Sequence, residues 1–170
     1  FLLGNELSWI NEDGTARYNL EVWKMILRFA DFWNQYKPEL VTTEYHLFSD
    51  EHCYAGTTDI ICRFQDKLWL LDIKTSNSIH TSYNLQLAAY AKAWNETHNE
   101  NIDETGIIWL KSSTRGASKD KIQGNGWQLK NCGNIDDNFK MFLNIYDIYK
   151  LENPDAKPTT ESLPTSIKLA

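Results

Sequence analysis

The sequence predicts an α/β domain with a central mixed β-sheet and helices on both faces. Three observations predict it. Residues 57–74 read as an apolar β-hairpin, residues 82–94 as a helix followed by a strand at 106–110, and residues 19–36 and 139–149 as helices on either side of that unit.

The elements follow in chain order. Leu20, Trp23, Leu27 and Ala30, with Phe29 and Trp33, recur at helical spacing over residues 19–36. Lys37-Pro38 ends that helix, because the residue before a proline is pushed out of the helical region. Glu44-Tyr45-His46-Leu47-Phe48 opens a strand. Residues 57–64 are rich in Ile, Thr and Phe, Gln65-Asp66-Lys67 is a tight connection, and Leu68 starts the return strand. Leu68-Trp69-Leu70-Leu71 has the length and composition of a strand buried on both faces, and Asp72-Ile73-Lys74 continues it without a turn signal. Side chains alternate across a strand, so Asp72 and Lys74 share one face while Leu71 and Ile73 share the other. A further strand is expected at Trp127-Gln128-Leu129, and Phe139, Phe142, Leu143, Tyr146 and Tyr149 mark the last helix. Beyond Glu152 the chain carries Pro154, Pro158 and Pro164 among Thr, Ser and Lys. Residues 1–152 are therefore read as the domain and residues 153–170 as a Pro-rich tail, laid on the surface or disordered.

Composition narrows the function classes. A chain of 170 residues, 42% hydrophobic and 13% aromatic, can bury the core of one domain. No run of about 18 apolar residues exists, so no membrane span or membrane partner is expected. Phe1-Leu2-Leu3-Gly4 is too short for the apolar stretch of a secretion signal. Cys53, Cys62 and Cys132 are an odd number without a Cys-x-x-Cys pair, which suggests a reducing, cytoplasmic compartment rather than a disulfide framework. His46, His52, His80 and His98 have no metal-ligand spacing. The net charge of −6 argues against nucleic acid, yet residues 111–130 carry five basic residues against one acidic residue. That stretch is either a solvated loop or an arm that tracks a phosphate backbone through Arg115, Lys119 and Lys121.

The hairpin concentrates the chemistry. Asp59 lies near the start of one strand and Asp72 near the end of its antiparallel neighbour, so the two carboxylates come to the same end. Converging carboxylates raise each other's pKa unless a cation lies between them. The Asp72 and Lys74 charges on a buried strand also need compensation, since an unpaired buried charge costs several kcal/mol. Oxygen donors of this kind suit Mg²⁺ or Mn²⁺. Gly56 permits either a close backbone approach or a positive φ beside Asp59. Gln86 and Tyr90 lie four apart on one helix face and can reach the site together; plain packing accounts for the same pattern. Glu44 is a further metal ligand, a substrate-side group or an exposed strand residue.

The ordered set Gly56-Thr57-Thr58-Asp59, Asp72-Ile73-Lys74-Thr75 and Gln86-x-x-x-Tyr90 resembles the RecB-like branch of the PD-(D/E)XK nuclease superfamily. The resemblance spans residues 44–109 and implies a restriction-endonuclease-like core in the order helix, three strands, helix, strand. It implies that Asp59, Asp72, the Ile73 carbonyl and Glu44 are the metal ligands, with Asp59, Asp72, Lys74, Gln86 and Tyr90 as the catalytic set. In that scheme Lys74 orients the attacking water or stabilises charge on the phosphate, while Thr75 and Ser76 donate hydrogen bonds to it. The implied activity is metal-dependent hydrolysis of DNA phosphodiester bonds by an exonuclease or a recombination or repair nuclease. Its partners would be single-stranded DNA or duplex ends, with recombination or replication proteins. Ala55-Gly56-Thr57-Thr58-Asp59 and residues 72–76 are similar to phage-type and mitochondrial single-strand exonucleases, so a phage-encoded origin is among the implications. Two alternatives stay open: an inert nucleic-acid-binding subunit that keeps the fold, and a metal-dependent hydrolase of a small phosphate ester.

Relatives in that branch carry an upstream His in a Gly-x-x-x-His-like stretch, and here no His precedes His46. Residues 1–6 resemble the end of the helix that would bear it. The expectation is a natural protein extended at its N-terminus, with these 170 residues binding Mn²⁺ better than Mg²⁺ and cutting DNA slowly or not at all.

Overall fold

The computed structural model describes residue 4, residues 6–112 and residues 123–156. Its elements are α1 (Leu20–Tyr36), β1 (Glu39–Ser49), β2 (Tyr54–Phe64), β3 (Lys67–Lys74), α2 (Thr81–Thr97), β4 (Glu104–Leu110), β5 (Trp127–Asn131) and α3 (Ile135–Glu152). Arg115, Lys119, Lys121 and the tail residues 157–170 lie outside the described residues.

Local chemistry explains the ends. Asn19, predicted as the first helical residue, is instead the cap of α1, and its side-chain oxygen accepts from the Val22 N–H at 2.9 Å. Asn134 does the same for α3 through Asp137. β1 starts at Glu39, earlier than the expected Glu44, because Glu39 and Leu40 pair with Arg63 and Cys62 at the far end of β2. Long-range pairing recruits residues that show no alternation of their own. Between β2 and β3 only Gln65 and Asp66 remain, with φ of 54° and 57°, the backbone of a type I′ hairpin turn.

The sheet order is β1-β2-β3-β4-β5. All neighbours are antiparallel except β3 and β4, which run parallel. A parallel pair needs a crossover, and α2 supplies it. Strict alternation along β3 sends Trp69 and Leu71 to one face with Met25 and Phe32 of α1. Leu68 and Leu70 go to the other face, with Leu87, Ala91 and Trp94 of α2. Leu68, Leu70 and Leu71 are fully buried, and each such side chain contributes about 2 kcal/mol. α3 has no buried residue and rests mainly on α2, meeting the sheet through Phe139 and Phe142 against Tyr54 of β2.

Alternation fails within β2. A Cβ added to Gly56 would fall 2.7 Å from the Tyr90 hydroxyl of α2, so Gly56 looks toward α2. Ile61, an odd number of residues further on, packs in the same α2-side cluster. The side-chain period has therefore slipped between them. Across the ladder Thr43 pairs with Ile60 and Tyr45 with Thr58, while Glu44 between them has φ 48°. Asp59 sits at this irregularity.

Candidate functional site

The β2–β3 ladder closes at Ile60 and Leu71, so the next step of the register sets Asp59 against Asp72. Asp59 does not continue the ladder with its backbone. Its Oδ2 accepts the Ile73 N–H at 2.8 Å, which ties the β2 carboxylate to the end of β3. The structure thus brings Asp59, Asp72 and Lys74 together at one end of the hairpin.

Asp72 is 5% exposed. Burial raises its carboxyl above the ordinary carboxylate range; Lys74 draws it back, and the negative charge of Asp59 pushes it up further. Lys74 Nζ lies 2.6 Å from Asp72 Oδ2. The contact is an ion pair in which the ammonium meets Oδ2, so this buried oxygen has Lys74 as its partner. The ammonium also stands 4.7 Å from the centre of the Tyr83 ring, so it is held between a carboxylate and an aromatic face. A buried carboxylate beside a second carboxylate fits a hard divalent cation, whose charge would offset the repulsion between them. Glu44 is exposed and does not join them, and among the described residues no three His, Cys, Asp or Glu side chains form a metal-holding group.

Gln86 Nε2 donates to the Tyr90 hydroxyl at 2.9 Å. Tyr90 packs on the backbone of Gly56, which is absent from the positive-φ residues. Of the two roles open to Gly56, close approach is the one the structure uses. Thr75 is exposed past the end of β3, where it lines a cavity of about 610 Å³ with Ile73 and the α1 residues Val22 and Met25. Ser76 differs from expectation. Its hydroxyl donates to the Ser78 carbonyl at 2.8 Å, and its own carbonyl accepts from Trp109 Nε1 and Gln123 Nε2. The donor expected for a phosphate is engaged in bracing the loop.

Tyr83 escaped the sequence reading. The signal was present, because Tyr83, Gln86 and Tyr90 follow i, i+3, i+7 spacing and therefore share a helix face. A tyrosine three residues before the Gln86-x-x-x-Tyr90 pair belongs with it.

No family model and no curated protein matches this sequence. Among solved structures, a candidate exonuclease from Eubacterium rectale matches with a TM-score of 0.51 and 10% identity, over 93% of this chain and 67% of that one. At such identity the likeness is one of fold. The chain has a nuclease-like α/β fold, a five-stranded mixed sheet flanked by helices. Among the described residues no helix is long and apolar enough to cross a membrane.

Proposed function

We propose that this chain is a metal-dependent nuclease that hydrolyses DNA phosphodiester bonds, an exonuclease or a recombination or repair nuclease working on single strands or duplex ends. One observation carries the proposal: the buried Asp72 carboxylate lies beside Asp59 and against Lys74 in a nuclease-like fold. Asp59, Asp72 and the Ile73 carbonyl are the groups that would hold Mg²⁺ or Mn²⁺. A bound ion of that kind supplies Lewis acidity and lowers the pKa of a water molecule. Lys74 brings positive charge to a phosphate oxygen or orients the attacking water, and Tyr83 restrains it. Gln86 and Tyr90, joined by their hydrogen bond, present polar atoms from α2 toward the same strand of substrate.

The test is incubation of end-labelled single- and double-stranded DNA with Mg²⁺, Mn²⁺ or EDTA. Cleavage that is slow, faster with Mn²⁺ than with Mg²⁺ and absent in EDTA is expected; wild-type activity in Asp72→Ala overturns the proposal. A second reading has an observation behind it, since the described residues gather no third acidic or His ligand. DNA binding without cleavage under any metal would select the inert nucleic-acid-binding subunit.

A further inference from the structure

A groove of about 440 Å³ runs between α2 and α3, and its upper wall is made by Gln86 and Tyr90. Tyr54, Phe142, Tyr146 and Tyr149 line it too, together with aliphatic side chains such as Leu85 and Ile145. Two of these tyrosines are already satisfied: the Tyr54 hydroxyl donates to the Ala89 carbonyl at 2.8 Å and that of Tyr146 to the Cys53 carbonyl at 2.9 Å. Their rings line the groove. Phe142 and Tyr146 stack 5.8 Å apart at 17°, and Lys150 Nζ lies 4.0 Å from the centre of the Tyr146 ring. Tyr149, 52% exposed, stands at the mouth. Gln86 gives one amide hydrogen to Tyr90, which leaves its carbonyl oxygen and second hydrogen for a ligand.

We infer that this groove takes an unpaired nucleobase of the strand whose phosphate lies at Asp59 and Asp72. The inference rests on the nuclease reading and deepens it, because it names single-stranded nucleic acid as the substrate form. Three features select a base. Tyr149 gives the groove an exposed aromatic ring, and aromatic stacking holds any base without regard to sequence. Gln86 brings an amide that both donates and accepts, as the edge of a base does. Gln86 and Tyr90 belong to both the groove and the proposed site, so a strand at the site has its neighbouring base at the groove. The volume lies in the lower part of the ordinary range for small-ligand pockets, about 300 to 1,000 Å³, enough for a base with its sugar. A base stacked in a duplex has both faces covered and cannot enter.

The experiment compares a fluorescently labelled oligothymidylate with an abasic strand of equal length and charge. Each is titrated with the 170-residue chain in EDTA and read by anisotropy. The wild type should bind the thymidylate about tenfold more tightly than the abasic strand. Tyr149→Ala should remove that preference, Tyr149→Phe should keep it, and Leu151→Ala, on the same helix but outside the groove, should keep it too. Circular dichroism of each variant checks the fold. Equal binding of both strands by the wild type, or a preference that survives Tyr149→Ala, overturns the inference. So does a dimer lost in Tyr149→Ala with the base preference unchanged, which gives the groove to a second copy. Metal-dependent cleavage without base preference removes the subsite and leaves the nuclease. Base preference without cleavage keeps the subsite and removes the nuclease, and no binding to either strand removes both.

Discussion

Asp72 is held by the fold in a place where its charge is poorly solvated, and this has a pH signature. Its carboxyl is raised above the ordinary value of 3.8, with burial as the largest cause. The folded protein therefore binds the proton more tightly than the unfolded chain does. The resulting stability is fully present below 3.8 and is lost as pH rises through the raised value. Thermal unfolding in EDTA should show a Tm that falls over that window, and Asp72→Asn should flatten the dependence and raise Tm at neutral pH. The same variant should abolish the Tm increase produced by Mn²⁺ in the wild type. A wild-type Tm that is flat with pH and indifferent to Mn²⁺ would remove Asp72 from any metal centre. On the chemical side, Asp59→Ala, Asp72→Ala and Lys74→Ala should each leave the circular dichroism unchanged. Each should lower DNA cleavage by about two to three orders of magnitude, the scale for loss of one group that stabilises transition-state charge.

Two elements carry strain that substitution can probe. The β2–β3 turn places Gln65 and Asp66, neither a glycine, in the left-handed region at a cost of about 1 kcal/mol each. The double change Gln65→Asn, Asp66→Gly matches the residues a type I′ turn favours and should raise the urea midpoint, with a gain of about 1 kcal/mol. A lower midpoint would mean that the polar side chains at the turn matter more than its backbone. The start of β2 is the second case. Gly56→Ala sets a methyl against the Tyr90 ring, which is anchored by Gln86. Overpacking of this kind costs about 1 to 3 kcal/mol, so the variant should unfold at lower denaturant and cut DNA less well as Tyr90 leaves its place. Unchanged stability would show that the ring moves aside freely.

At the scale of the molecule, an acidic chain is proposed to hold an acidic substrate, so the stretch of sequence where basic residues cluster is the one to test. If residues 111–130 track the phosphate backbone, changing Arg115, Lys119 and Lys121 to Gln should weaken binding to single-stranded DNA. The salt slope should then fall by roughly 0.7 per lost contact. An unchanged slope returns the segment to a solvated loop. The order of elements and the buried hairpin were legible beforehand, since apolar runs, turn residues and the 3.6- and 2-residue periods are properties of neighbouring residues. So was the meeting of Asp59 with Asp72, which follows from antiparallel pairing across a short turn. What no local pattern encodes was decided by packing between distant segments. The left-handed Glu44 and the slipped alternation of β2 turn Asp59 toward the Ile73 amide. The approach of α2 to the strand end sets Tyr83 under Lys74. The seating of α3 on α2 opens an aromatic groove at Gln86 and Tyr90. The sequence by itself determined which groups could do chemistry and at which end of the hairpin they meet. The tertiary structure alone decided their partners, because register slips and helix docking are settled by the summed contacts of the whole sheet.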